Sequence, residues 1–123
     1  MNITIKGLHI PLTDALKQYT NDKISALENF IHEDAYVHVE IGKPSNHHKG
    51  GPDAFLAEIT VDSKGNTYFV EASEADQYRA IDRATTEVLE MIKQGRGKRQ
   101  TLARKGRALL KQLTRRGFYR WNK

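Results

Sequence analysis

The 123-residue chain contains no cysteine, which excludes a disulfide scaffold and any thiolate-ligated metal centre. It has no apolar run approaching the ~18 residues of a membrane-spanning helix. Residues 1–10 lack the continuous apolar stretch of a secretory leader. Together these absences lead to the expectation of a soluble, cytoplasmic protein. Apolar residues make up only 38%, so one compact core with a solvated segment is expected rather than two domains.

The most informative absence is that of acidic residues near the C-terminus. Residues 96–123 contain 11 Lys/Arg and no Asp or Glu, whereas residues 1–95 contain 9 Lys/Arg against 15 Asp/Glu. The overall charge of +5 therefore hides an acidic body of net −6 and a tail of net +11. So dense a block of one sign repels itself and awaits a polyanion; the plain alternative is a tail that serves only solubility. The expected division is a domain over residues 1–95 and a basic, aromatic-containing tail over 96–123, disordered or partly helical until bound.

The body reads as alternating elements. Ile3 and Ile5 point one way and Asn2, Thr4 and Lys6 the other, the period of a half-buried strand ending at Gly7. Thr13 suits the N-cap of a helix whose apolar stripe is Leu16, Tyr19, Ile24, Leu27 and Ile31. Residues 36–41 and 55–61 alternate again, and Lys64-Gly65-Asn66 predicts a tight hairpin into residues 67–72. Ser73 with Asp76 resembles a capping box for a second helix lined by Tyr78, Ile81, Thr85, Val88 and Ile92, ending at Gly95. The order β-α-β-β-β-α predicts an α+β fold. Two helices would cover one face of a four-stranded sheet, and the opposite face could stay wet.

Chemistry is hard to find in it. His47 and His48 are adjacent in a Gly/Pro loop, His38 alternates outward on a strand, and His9 and His32 stand alone. Without cysteine or a His-x-x-x-His pair on a helix, no metal site is expected. Gly95-Arg96-Gly97-Lys98 lacks the spacing and the preceding strand of a phosphate loop, and no nucleophile is paired with a base. Neither an enzyme nor a bound cofactor is expected, and no small-molecule substrate. The tail is another matter. Leu102, Leu109, Leu110 and Leu113 form a short apolar seam among Arg104, Lys105, Arg107 and Lys111. Phe118, Tyr119 and Trp121 interleave with Arg115, Arg116 and Arg120. Such rings stack on unpaired bases while the cations meet phosphates; equally, the rings would dock on the domain's own sheet.

Two stretches carry a resemblance. Gly7-Leu8-His9-Ile10 with Leu12-Thr13-Asp14-Ala15-Leu16, Tyr19, Lys23 and Leu27-Glu28 resembles the ribosome hibernation promoting factor family, once called sigma-54 modulation proteins. So does the run from Glu71 through Asp82 at the entry to the second helix. The resemblance covers about residues 1–95. It implies a fold similar to double-stranded RNA-binding domains and a short-form factor that binds the small ribosomal subunit and its rRNA at the decoding region. There it would block messenger and transfer RNA by occupation alone, inhibiting translation and preserving idle ribosomes. Assembled ribosomes stay open as a further partner.

On this resemblance Lys17 and Lys23 match basic positions of the first helix, Lys43 one at the end of the second strand, and Arg96 and Lys98 the basic end of the second helix. Arg99, Arg104, Lys105, Arg107, Lys111, Arg115, Arg116 and Arg120 extend the expected RNA-binding set into the tail, with Phe118, Tyr119 and Trp121 as stacking residues. Tyr78 and Ile81 read as core. Ala26, Glu87 and Glu90 depart from the family, standing where relatives commonly place basic residues. Reversed charges there would weaken phosphate binding, and the tail is expected to compensate. Two other readings stay open: a general nucleic-acid-binding module without ribosome preference, and a membrane- or partner-docking protein using residues 98–121 as a basic amphipathic anchor.

Overall fold

The computed structural model describes residues 1–44 and 55–95, together with the backbone of 98–99. Strand β1 (Asn2–Leu8) leads into helix α1 (Asp14–Ile24), a 3-10 turn (Ser25–Phe30), strands β2 (Tyr36–Gly42), β3 (Phe55–Ser63) and β4 (Asn66–Glu74), and helix α2 (Gln77–Lys93). A two-residue strand β5 (Lys98–Arg99) follows. The sheet order is β1-β2-β3-β4-β5. β1 runs parallel to β2, and every later pair is antiparallel. The four long strands and two helices are those expected from the sequence.

Local chemistry explains where the elements start and stop. The Thr13 hydroxyl accepts from the Leu16 N–H at 3.2 Å and caps α1. The apolar stripe predicted one helix to Ile31, but α1 tightens into a 3-10 turn at Ser25. Ser25 Oγ donates to the Asn21 carbonyl at 2.8 Å, the same carbonyl that accepts the Ser25 backbone N–H. The three-residue step from Ile24 to Leu27 also suits three residues per turn, and both side chains are fully buried.

The β3–β4 hairpin turns on Lys64 (φ 50°) and Gly65 (φ 82°), the positive φ pair of a two-residue turn. Ser73 does not cap α2. It pairs with Leu56 in a β4 that continues to Glu74, and the Asp76 carboxylate caps instead, accepting from the Tyr78 N–H at 3.1 Å. Gly42 shows why glycine ends β2: at φ 145°, a Cβ there would lie 2.0 Å from the Leu8 carbonyl oxygen. That carbonyl accepts from the Lys43 N–H at 2.8 Å and closes the β1–β2 end of the sheet.

One sheet face and the two helices enclose the core: Leu16, Ile24, Leu27, Val37, Val39, Ile41, Ile59, Val61, Val70, Ile81 and Val88 are all buried. The Gln77 amide donates to the Leu56 carbonyl at 3.0 Å and seats the start of α2 on β3. Tyr78, expected in the core, is 38% exposed and meets Tyr19 edge-on, ring centroids 4.8 Å apart.

The opposite sheet face is wet only in part: Tyr36 and Phe69 are exposed, but its centre is not. Its cross-strand rows read Thr4–His38–Thr60–Phe69 and Lys6–Glu40–Glu58–Glu71. His38 is 2% exposed, Glu40 5% and Thr60 5%, although His38 alternates outward from the core. His38 Nε2 lies 3.2 Å from Glu40 Oε2. Alternation tells which face a side chain takes; it does not tell whether that face is covered.

Candidate RNA-binding interface

The basic positions expected to meet phosphate are set out unevenly by the fold. Lys17 and Lys23 both lie on α1. Six residues at about 100° each place them roughly 120° apart around the helix axis, so they do not form one stripe. Lys17 is exposed and makes no ion pair among the described residues. Lys23 is engaged: its ammonium lies 3.3 Å from Asp82 on α2 and 5.6 Å from the Tyr19 ring centroid. Lys43 follows β2 and places its ammonium 5.3 Å from the Phe55 ring centroid. It belongs to the sheet end where Gln77 starts α2.

Asp82 is the hub between the helices. It accepts a 2.6 Å hydrogen bond from the Tyr19 hydroxyl as well as the Lys23 ammonium. Ionising Tyr19 would lose that bond and set a phenolate against the carboxylate. The hydrogen bond to Asp82, then burial, then the Asp82 charge push the Tyr19 hydroxyl up to about 12. On α2, Arg83 is gripped by Glu87 at 2.9 Å and by Glu74 at 3.1 Å. These bonds, the one to Glu87 first, raise its pKa further above the ordinary arginine value. Glu87 thus occupies a neighbouring cation as well as adding an anion.

Sequence reading had not singled out two exposed cations of α2. Arg79 makes no ion pair among the described residues, and Lys93 lies 5.0 Å over the exposed Phe30 ring. The i, i+4 spacing of Arg79 and Arg83 was the available signal, masked by the acidic residues around them. The electrostatic result is a balance. α1 carries Lys17 and Lys23 against Asp14 and Asp22. α2 carries Arg79, Arg83 and Lys93 against Asp82, Glu87 and Glu90. Neither helix bears a net charge.

Of the remaining expected contacts, Lys98 and Arg99 are described by backbone alone, pairing with Thr67 and Asn66 at the β4 edge. Arg96, Arg104, Lys105, Arg107, Lys111, Arg115, Arg116 and Arg120 lie outside the described residues, as do Phe118, Tyr119, Trp121, His47 and His48. Among the described residues no group of three His, Asp or Glu could hold a metal ion, and no helix is long and apolar enough to cross a membrane.

Comparison with known proteins agrees with this architecture. Residues 3–100 match the family model described as sigma 54 modulation protein / S30EA ribosomal protein. The chain is 34% identical over 82 residues to a ribosome hibernation promoting factor of Acidithiobacillus ferridurans, covering 67% of this chain and 100% of that one. It is 30% identical over 88 residues to a protein of the same name from Acinetobacter guillouiae, covering 69% and 78%. The Thermus thermophilus Protein Y N-terminal domain superposes with a TM-score of 0.65 at 30% identity, covering 77% of this chain and 99% of that one. A ribosomal subunit interface protein from Coxiella burnetii shares the fold at a TM-score of 0.61 and 16% identity, covering 78% and 98%. With a core built on the same sheet and helix pair and a family match over most of its length, the chain belongs to the sigma 54 modulation protein / S30EA ribosomal protein family.

Proposed function

We propose that this protein is a ribosome hibernation factor that binds the small ribosomal subunit at the decoding region and closes it to messenger and transfer RNA. Inhibition is by occupation: the family binds ribosomes without catalysis, and a filled channel needs no reaction. The names of the relatives, ribosome hibernation promoting factor and ribosomal subunit interface protein, support the ribosome as the target. A rigid α+β body of this size would fill the site sterically, and rRNA phosphates would supply the affinity.

The observation that carries the electrostatic part is the neutrality of the helices. With Lys23 and Arg83 held by carboxylates, the domain alone offers RNA few uncommitted cations. The 11 Lys/Arg of residues 96–123, opposed by no acidic residue, would carry most of the phosphate contact, with Phe118, Tyr119 and Trp121 stacking on unpaired bases. Salt dependence tests this. Each phosphate neutralised contributes about 0.7–0.9 to the slope of log affinity against log salt. Replacing Arg104, Lys105, Arg107, Lys111, Arg115, Arg116 and Arg120 by Gln should therefore flatten that slope by about 5–6 in ribosome co-sedimentation. An unchanged slope would remove the tail from the interface. Equal competition by duplex RNA of matched phosphate content would instead favour a general RNA-binding module.

A further inference from the structure

Strand β1 is an edge of the sheet and pairs with β2 in unbroken register along its 7 residues, without a bulge. Successive residues of a strand turn their N–H and C=O groups to alternate sides. The Asn2 N–H donates to the Ala35 carbonyl and the Leu8 carbonyl accepts from the Lys43 N–H, both at 2.8 Å, so the even-numbered residues face β2. The N–H and C=O groups of Ile3, Ile5 and Gly7 therefore point out of the sheet, where they meet no partner among the described residues. Proteins commonly keep such an edge from pairing with proline, bulges or several charges. From Asn2 to Leu8 there is no proline and one charge, Lys6, which alternates with Thr4 onto the face away from the helices. On the helix face Met1, Ile3 and Ile5 are only partly buried, as is Leu12 beside Gly7. The other edge differs: β5 closes the start of β4, and Glu71 and Glu74 lie further along it.

We infer that β1 is a self-association edge, on which a second copy of this chain lays its own β1 antiparallel about a twofold axis at Ile5. Ile5 then faces Ile5, Ile3 faces Gly7, and Thr4 faces Lys6. Each facing pair of outward residues exchanges two hydrogen bonds, and no like charges stand opposite one another. The adjacent twofold registers are poorer. Centred on Lys6, the pairing sets lysine against lysine. Centred on Thr4, it sets Gly7 against Met1, whose amine already donates to the Glu33 carbonyl at 2.6 Å. The axis stands perpendicular to the sheet, so both helix layers lie on one side and the partly buried apolar borders meet. Residues 100–123, with eight Lys/Arg and no acidic residue, would find no carboxylate on β1, only Lys6; the edge matches itself better than it matches the tail. A joint of one strand pair is smaller than the about 1,200 Å² of stable complexes, so it forms at high concentration and the dilute chain is single. It does not depend on the ribosome reading.

The test uses the full chain, freed of nucleic acid, at about 1 M salt, where a screening length of about 3 Å stops the tail from bridging copies. Sedimentation equilibrium should show single chains at about 10 µM and pairs at about 1 mM. Over the same range, solvent-exchange NMR should show the Ile3, Ile5 and Gly7 amides slowing at least about threefold, and those of Thr4 and Lys6, already bonded to β2, changing less. Ile5→Pro removes an outward donor that the β2 ladder does not use, a position where an edge strand tolerates proline, and should weaken association at least about tenfold. Single chains at the high concentration, assemblies larger than two, or association without slowing of the three amides overturns the proposal. Slowing already complete in the dilute chain assigns the edge to cover from within one molecule and also overturns it. So does undiminished association of a folded Ile5→Pro chain.

Discussion

At the scale of single residues, Asp82 decides how much of α1 is open to phosphate. It holds Lys23 at 3.3 Å and accepts the Tyr19 hydroxyl hydrogen bond at 2.6 Å. Substituting Asp82→Asn keeps the shape and removes the charge. Ribosome affinity at low salt should then rise by up to about fivefold, the scale of one exposed ion pair released, as read by co-sedimentation. Tyr19 carries the pH signature. Its folded value is raised from the ordinary 10.0 to about 12, so the folded state keeps a proton that the unfolded chain gives up. The stabilisation is complete below about pH 10 and is lost as pH rises from 10 to 12. Spectrophotometric titration should show one tyrosine ionising last, and Tyr19→Phe should delete that step.

Elements were legible where a side chain's own periodicity decided the matter. Val37, Val39 and Ile41 alternate because one face meets helices, and Lys64-Gly65 marks the hairpin because its backbone needs positive φ. Boundaries were less so. Ser73 carries the right hydroxyl for a cap, but its backbone is already committed to Leu56 across the β3–β4 ladder. The cap falls to the next residue that can reach, Asp76. Asp76→Ala should accordingly cost about 1 kcal/mol and Ser73→Ala close to nothing, measured by urea denaturation. α1 shows a related limit: the apolar stripe continues past Ser25, but its step from Ile24 to Leu27 is three residues, and the backbone tightens into a 3-10 turn that buries both.

For the molecule as a whole, the division of charge was visible in composition, since an 11-cation segment needs no structure to be counted. The neutralisation of the helices was not. Arg83 with Glu74 is a pair nine residues apart, brought together by the turn from β4 into α2, and Lys23 with Asp82 is a pair between helices. Nor was the burial of His38 and Glu40, which depends on what lies above the sheet rather than on alternation along it. The domain's fold and its place in a family were readable from one sequence; the distribution of usable charge required the packing.

The parallel pairing of β1 with β2 also sets an order of assembly. β3 and β4 meet through a two-residue turn, whereas β1 meets β2 only after α1 and the 3-10 turn have been laid down between them. Closing that longer loop costs more chain entropy before any contact repays it. β1 also has one neighbour where β3 has two, and Ile3 and Ile5 are only half-buried. The edge strand should therefore peel away and rejoin without the rest unfolding, a local opening below the global free energy. Hydrogen exchange under rising denaturant should release β1 amides first and β3 amides only with complete unfolding; simultaneous release would mean that the N-terminal strand is as firmly committed as the centre of the sheet.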